Sequence, residues 1–371
     1  MGASLGFIPG FLATVLSEDL DVSRGMIGLI VGIYFGATGI GSIPAGRFTD
    51  KFGARNVATI NMFLVAGSSL FIAIFNSYAM WIIGSVVGGM GYALGNTSTN
   101  VAIGHAVPLE RRALAMSVKT SGVPLMATIA AAITPWAANV WSWERVLVFN
   151  AIVAAISGIF TYLVLDDDRS ESTTGSGLIP LPKDFYWFGI AAFLLIGGSQ
   201  PLYSWTVSYL EESLNAPASL SGGIMAIASF TGVIVMICNG VWADRLGELK
   251  RIPLVMLLLS VSALSVCLVI LGTILGTFIV VIGLTLGVST QLAAIGTMHA
   301  AVIDKAPKSV GRATGITMTG YYLGALVTPA GFGLLVDLSD TYIYSWLATL
   351  VILITAVGAW HRAGKVQTQR E

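Results

Sequence analysis

Long apolar runs constrain this chain more than any other feature. A helix that crosses a bilayer needs about 20 mostly apolar residues. Only 10% of the residues are charged, against about 25% in soluble domains, so the chain lacks the polar surface of a soluble enzyme. We predict an all-α integral membrane protein. Runs of spanning length lie at 25–46, 54–75, 78–104, 112–138, 144–165, 186–210, 220–242, 253–272, 275–302, 312–336 and 342–361.

A twelfth apolar run, residues 1–16, opens the chain. It is shorter than a full span, and the first basic residue, Arg24, comes too late for a signal peptide. We therefore expect twelve membrane helices, the first of them truncated at its start.

Basic residues are distributed unequally between the loops. Sixteen of the 19 Lys and Arg residues lie in the loops after the even-numbered spans or in the C-terminal segment, and only Arg24 and Arg145 lie in the opposite loops. Cytoplasmic loops carry the excess of Lys and Arg. We predict a multi-pass protein of the inner (plasma) membrane with both termini in the cytoplasm. The net charge of zero gives no reason to expect nucleic-acid binding.

The chain reads as two related halves. A polar stretch, residues 166–185, separates six spans from six, so we predict bundles at 1–165 and 186–371 joined by a cytoplasmic linker. The segment GRFTDKFGAR at 46–55 is similar to GVWADRLGELKR at 240–251, and Asp50 and Asp244 occupy matching positions in the two segments. A second pair, RALA at 112 and RATG at 312, lies at nearly the same offset. This pattern indicates an internal duplication.

The duplicated loop, with twelve spans and a central linker, resembles the signature of the major facilitator superfamily along essentially the whole chain. The resemblance implies two six-helix bundles that expose a central cavity to one side at a time, in a rocker-switch form of alternating access. It also implies that the loop latches the bundles on the cytoplasmic side; the alternative is a plain turn anchor. The implied latch residues are Gly46, Asp50, Gly53, Arg55, Gly240, Asp244, Gly247, Arg251, Arg112 and Arg312.

Two segments refine this resemblance. Many proton-driven exporters of the family carry an Arg in the fourth helix, where this chain has Ser85. Its absence argues against that form of proton coupling. In the fifth helix, the segment from Lys119 to Pro124 is similar to an element of permeases of the cyanate-transporter type.

Lys119 is the only basic residue well inside a predicted span. A charge at that depth is costly and usually faces a cavity or a partner. We consider three roles: a cavity cation for an anionic ligand, a lysine that snorkels to the headgroups, and a structural hydrogen bond to the fourth or eighth helix. His105 and His299 lie near inner span ends, where we expect solvated positions.

Neutral polar and aromatic residues accompany Lys119 in the spans. Each alone fits an interhelical hydrogen bond or a packing role, and as a set they suit a small polar ligand with an apolar portion. Pro124, Pro201 and Pro329 are expected to kink the fifth, seventh and eleventh spans. The predicted substrate-cavity residues are Lys119, Tyr34, Tyr92, Asn96, Gln200, Tyr203, Trp205, Gln291 and Tyr322.

These observations predict a secondary active transporter that takes up a small organic anion. The alternatives are efflux of a small amphipathic compound and a non-transporting sensor on a transporter scaffold. A membrane enzyme would need an acid–base pair or a metal constellation, which the spans do not offer. No nucleotide-binding motif is found, so we expect no cofactor and no metal. The expected partners are a small-molecule substrate, a coupling ion such as a proton, and the lipid bilayer around a monomer.

Overall fold

The computed structural model describes residues 2–22, 24–165 and 180–368. Within them the fold is all-α, as predicted, and contains no strand. A short 3-10 turn, Leu109–Arg111, precedes α6. The helices are α1 Ser4–Phe11, α2 Ala13–Asp19, α3 Arg24–Phe52, α4 Ala54–Phe75, α5 Tyr78–Ala106, α6 Arg112–Val140, α7 Trp143–Val164, α8 Tyr186–Ser204, α9 Thr206–Leu214, α10 Ala218–Leu246, α11 Glu248–Leu275, α12 Thr277–Lys305, α13 Val310–Ser339 and α14 Ile343–Gly364.

Nine helices of the described part are long and apolar enough to cross a membrane: α3 to α5, α7 and α10 to α14. They coincide with nine of the twelve predicted spans. The other three predicted spans correspond to α1 with α2, to the 29-residue α6, and to α8 with α9. Of the predicted linker, residues 166–179 lie outside the described residues.

The seventh predicted span is broken rather than merely kinked. Pro201 lies in the last turn of α8, and the helix ends three residues later, before Trp205. The Trp205 indole N–H donates to the carbonyl of Pro329 in α13 at 3.0 Å. Its ring also stacks on Phe332, with the ring centroids 5.5 Å apart. A tryptophan that bonds a neighbouring helix therefore occupies the point where the helical path is interrupted.

The described chain forms two compact units. The first contains residues 2–22, 24–106, 122–165, 180 and 308–319, and the second contains 107–121, 181–307 and 320–368. The start of α6 thus belongs to the second unit, and the start of α13 belongs to the first. The predicted domain boundaries, which assign α6 and α13 wholly to their own halves of the sequence, stay a prediction.

Candidate functional site

The first copy of the duplicated loop joins the end of α3 to the start of α13. The Asp50 carboxylate accepts hydrogen bonds from the backbone N–H groups of Gly311 at 3.0 Å and Arg312 at 3.1 Å. These are the second and third residues of α13, whose N–H groups have no acceptor in their own helix. A carboxylate there also meets the positive end of the helix dipole. Asp50 therefore caps a helix from the other half of the sequence.

Glycines allow α3 and α13 to approach closely. A Cβ added to Gly46, one turn before Asp50, would overlap the carbonyl of Gly311. A Cβ on Gly315 would lie 2.5 Å from the carbonyl oxygen of Ser42. The Thr319 hydroxyl then donates to a carbonyl of α3, that of Gly39, at 2.8 Å. The contact extends over two turns and depends on backbone lying against backbone.

The second copy repeats this arrangement between α10 and α6. The Asp244 carboxylate accepts hydrogen bonds from the N–H groups of Ala113 and Leu114, both at 2.8 Å. These are again the second and third residues of the capped helix. A Cβ on Gly240, one turn earlier, would lie 2.9 Å from the Cα of Leu114 and 2.6 Å from the hydroxyl of Ser117.

Each Asp is followed three residues later by a glycine that separates two helices. Gly53 has φ 83° and ψ 153°, and Gly247 has φ 82° and ψ 168°. This region of backbone conformation is accessible almost only to glycine. The predicted Gly53 and Gly247 thus set the sharp turn that brings each Asp to its helix end.

An ion network accompanies the second copy. The fully buried Arg251 donates to Asp244 at 2.7 Å, to Asp304 at 2.5 Å and to the carbonyl of Leu109. Arg112 reaches the other oxygen of Asp304 at 2.8 Å. Asp304 was not singled out by the sequence, because it lies just beyond the predicted tenth span. The signal available was an acidic residue at a span end where the neighbouring loops are basic.

Two other predicted latch residues have different surroundings. The Arg55 guanidinium lies over the ring of Tyr162, 4.6 Å from its centroid. Arg312 contributes the backbone N–H that Asp50 binds. Arg112, by contrast, is drawn into the ion network through its side chain.

Lys119 lies half-buried on α6, in the part of that helix that belongs to the second unit. His299 of α12 lies in the neighbourhood of Lys119 and is buried, with 5% of its surface exposed. The expectation of a solvated His299 is therefore wrong, because α12 is enclosed along most of this region. The helices meet closely nearby, since a Cβ on Gly296 would lie 2.9 Å from the Cα of Ser117.

The predicted cavity residues of the first unit are well packed. Tyr34 is fully buried, and its hydroxyl donates to the carbonyl of Gly2 at 2.8 Å. Its ring stacks on Tyr92 with the centroids 6.1 Å apart. Asn96 is buried one turn further along α5. Tyr34 thus bonds the turn that precedes α1 and has a structural role, in line with the packing role that the sequence left open.

The predicted residues of the second unit include a chain of amides. Gln291 of α12 donates to Gln200 of α8 at 3.4 Å, and Gln200 in turn donates to Ser204 at 3.3 Å. The Gln291 carbonyl oxygen is buried and finds no hydrogen-bond partner among the described residues. Tyr322 is buried beside Tyr321, and Tyr203 is half-buried at the end of α8.

A family model described as Major Facilitator Superfamily matches residues 1–329. The chain belongs to this superfamily. It is accordingly a multi-pass membrane protein of a transporter family, not an enzyme, and its partner class is small molecules. The family resemblance drawn from the duplicated loop is confirmed.

Curated relatives are distant. The gentisate transporter of Corynebacterium glutamicum is 25% identical over 88% of this chain and 76% of its own length. The nitrite extrusion protein of Bacillus subtilis is 24% identical over 99% of this chain and 95% of its own. The 4-hydroxybenzoate transporter PcaK of Acinetobacter baylyi is 23% identical over 38% of this chain. The matched segment spans only 31% of that protein.

A solved structure agrees on the fold. The proton:xylose symporter XylE aligns over 99% of this chain and 95% of its own, with a TM-score of 0.78 and 13% identity. At that identity the likeness concerns the fold alone.

Proposed function

We propose that this protein is a secondary active transporter that takes up a small organic anion by rocker-switch alternating access. The observation that carries the substrate class is Lys119, a cation on a membrane helix beside the buried His299. A charge in an apolar environment attracts an anion far more strongly than the same charge in water. An anionic ligand would offset the cost of keeping Lys119 there.

The named relatives support an anion. Gentisate and 4-hydroxybenzoate are aromatic carboxylates, and nitrite is an inorganic anion. A carboxylate on an aromatic ring also suits the amide and aromatic side chains predicted for the cavity, such as Gln200, Gln291 and Tyr322, which offer hydrogen bonds and ring contacts. We therefore propose a small aromatic or aliphatic carboxylate as substrate.

The two Asp-capped helix starts supply the conformational part of the proposal. Asp50 and Asp244 each bind two N–H groups of a helix from the opposite half of the sequence. Breaking these bonds would release α13 and α6 from their contacts. We propose that they stabilise one access state and that transport requires them to open and re-form.

Uptake of radiolabelled gentisate and 4-hydroxybenzoate into proteoliposomes tests the substrate class. Hydrogen bonds to charged groups contribute about 1.5–3 kcal/mol, so Lys119→Ala should weaken binding about ten- to a hundredfold. Lys308→Ala removes an exposed lysine and serves as the control. Unchanged affinity in a stably folded Lys119→Ala variant would refute the anion hypothesis, and a lowered melting temperature without ligand would assign Lys119 a structural role.

Export is the second candidate, and the nitrite extrusion protein favours it, because that relative covers nearly the whole chain. Right-side-out and inside-out membrane vesicles separate the two directions. Net accumulation in right-side-out vesicles supports uptake. Accumulation only in inside-out vesicles supports export, and comparison with and without a proton gradient identifies the coupling ion.

We also propose that both termini are cytoplasmic in an inner membrane. A single cysteine at position 176, in a chain whose Cys238 and Cys267 are replaced by Ser, should resist a membrane-impermeant thiol reagent added to intact cells. Labelling after permeabilisation is the positive control. Efficient labelling from outside would reverse the topology.

A further inference from the structure

Two adjoining cavities lie at the end of α14. One, of about 310 Å³, is lined in part by Glu248, Ile252, Asp304, Lys305 and His361, and it borders the ion network through Asp304. The other, of about 730 Å³, is lined by Lys183, Asp184, Trp187, Arg362, Lys365, Val366 and Gln367. Lys365 contributes to both. The larger cavity thus has three cations against one carboxylate, an excess of positive charge that favours an anion.

Two parts of the larger cavity are supported by neighbouring groups. The exposed Arg362 guanidinium lies over the ring of Trp187, 5.6 Å from its centroid. The Lys305 ammonium donates to the carbonyls of Gly364 at 3.1 Å and Val366 at 2.7 Å, and so holds the backbone that carries the exposed Lys365. An anion would therefore meet a site that is partly ordered before it binds.

An apolar surface continues from the cavity along the same helices. On α14, Gly358 and Ile354 precede Arg362 by one and two turns. A Cβ on Gly358 would meet nothing within 4 Å, and Ile354 is 59% exposed. On α8, Ile190 lies one turn beyond Trp187 and is 40% exposed. A free anion has no use for such a surface, whereas an acyl chain would cover it.

We propose that this region, formed by Lys183, Trp187, Arg362 and Lys365, binds the headgroup of an anionic phospholipid. The phosphodiester would accept hydrogen bonds from Arg362, which presents a fork of donors, and would be attracted by the two lysines. The acyl chains would lie along Gly358 and Ile354. Basic pockets beside membrane helices are suited to such headgroups, and the site is independent of the transported substrate.

Native mass spectrometry of the delipidated full-length protein, titrated with phosphatidylglycerol or phosphatidylcholine, tests this site. We expect tight binding of phosphatidylglycerol at one site and at least tenfold weaker binding of phosphatidylcholine. The triple variant Lys183→Ala, Arg362→Ala, Lys365→Ala should lose at least tenfold in affinity for phosphatidylglycerol. The control is Lys51→Ala, Lys250→Ala, Lys308→Ala, which removes three exposed cations elsewhere and should change it less than twofold.

Two further measurements keep the proposal open to refutation. Because the triple variant could fold poorly, Arg362→Gln alone is titrated as well and should lose at least threefold, with melting temperatures measured before lipid is added. Inorganic phosphate at 10 mM should displace little lipid. Equal losses in the control variant, unchanged binding by a folded triple variant, or full displacement by phosphate would each overturn the lipid site.

Discussion

The two copies of the duplicated loop share their backbone arrangement and differ in their charges. In both, an Asp caps the second and third residues of a distant helix, a glycine lies one turn before it, and a glycine with φ near 82° follows three residues later. Only the second copy, among the described residues, carries the buried network of Arg112, Arg251 and Asp304. Duplication has preserved the cap and allowed the surroundings to diverge.

The matching positions of the first half show where the copies diverge. Asp50 and Asp244 are 194 residues apart, and by this spacing Arg251 corresponds to Val57. Arg112 and Arg312 are 200 residues apart, and by this spacing Asp304 corresponds to Gly104. The capped helices also begin differently, because Arg112 is the first residue of α6 whereas Arg312 is the third of α13. The second copy thus adds the ion pair of Arg112 with Asp304 to the close backbone contact that both copies share. The comparison predicts that the two copies fail in different ways.

Asp304→Asn should have the largest effect. It removes the carboxylate shared by the buried Arg112 and Arg251, and breaking a buried pair costs about 3–5 kcal/mol. We expect a strongly lowered melting temperature and poor expression. Glu110→Gln, which removes an exposed carboxylate from the same unit, should change stability by less than about 0.5 kcal/mol. A stable Asp304→Asn variant would mean that the network contributes little to folding.

Asp244→Ala and Asp50→Ala should differ from each other. Both lose a helix cap, but Asp244→Ala also takes one partner from Arg251, which adds about 1.5–3 kcal/mol. We expect Asp50→Ala to slow transport with substrate affinity changed by only a few-fold, and Asp244→Ala to lower the melting temperature as well. Transport rates, affinities and melting curves on both variants check this. Equal melting temperatures would contradict the asymmetry, and abolished binding in folded Asp50→Ala would make Asp50 a ligand contact.

Gly46→Ala probes the close packing of the first copy. The added methyl group would overlap the Gly311 carbonyl, and overpacking costs about 1–3 kcal/mol. We expect a stability loss in that range and weaker capping by Asp50. Gly28→Ala on the same helix meets nothing within 4 Å and should be neutral or slightly stabilising. If both variants melt alike, the contact between α3 and α13 is not tight.

Gly53→Ala and Gly247→Ala test the turn that the two copies have in common. Their φ values are 83° and 82°, with ψ values of 153° and 168°, and Ala in such a conformation costs about 1–3 kcal/mol. Because the strain is local, the two losses should agree within about 0.5 kcal/mol. Unequal losses in thermal or denaturant unfolding would show that the turns, too, have diverged.

The sequence predicted the helices and the duplicated loop because both are local. Apolar runs identify α3 to α5, and the spacing of Asp50 and Gly53 repeats at Asp244 and Gly247. The superfamily itself follows from this loop together with the number of spans. Such features need no knowledge of which helices are neighbours.

The partners of these residues could not be predicted in the same way. Arg251 and Asp304 are 53 residues apart, and Arg112 and Asp304 are 192 apart, so no local pattern links them. In the sequence His299 lies near the end of a predicted span, yet neighbouring helices bury it. Pro201 indicates a disturbance of this span in the sequence, but the hydrogen bond from Trp205 to the Pro329 carbonyl of α13 is not predictable from α8 and α9.

The capped helix starts also provide natural probes of exchange with water. The amide hydrogens of Gly311, Arg312, Ala113 and Leu114 have no acceptor within their own helices, so their protection from deuterium rests on Asp50 and Asp244. Amide exchange measures how often such a bond opens. Slower deuterium uptake at Ala113 and Leu114 than at Gly311 and Arg312 would therefore mean that the second cap opens less often than the first. The charges that surround the second cap would be the reason.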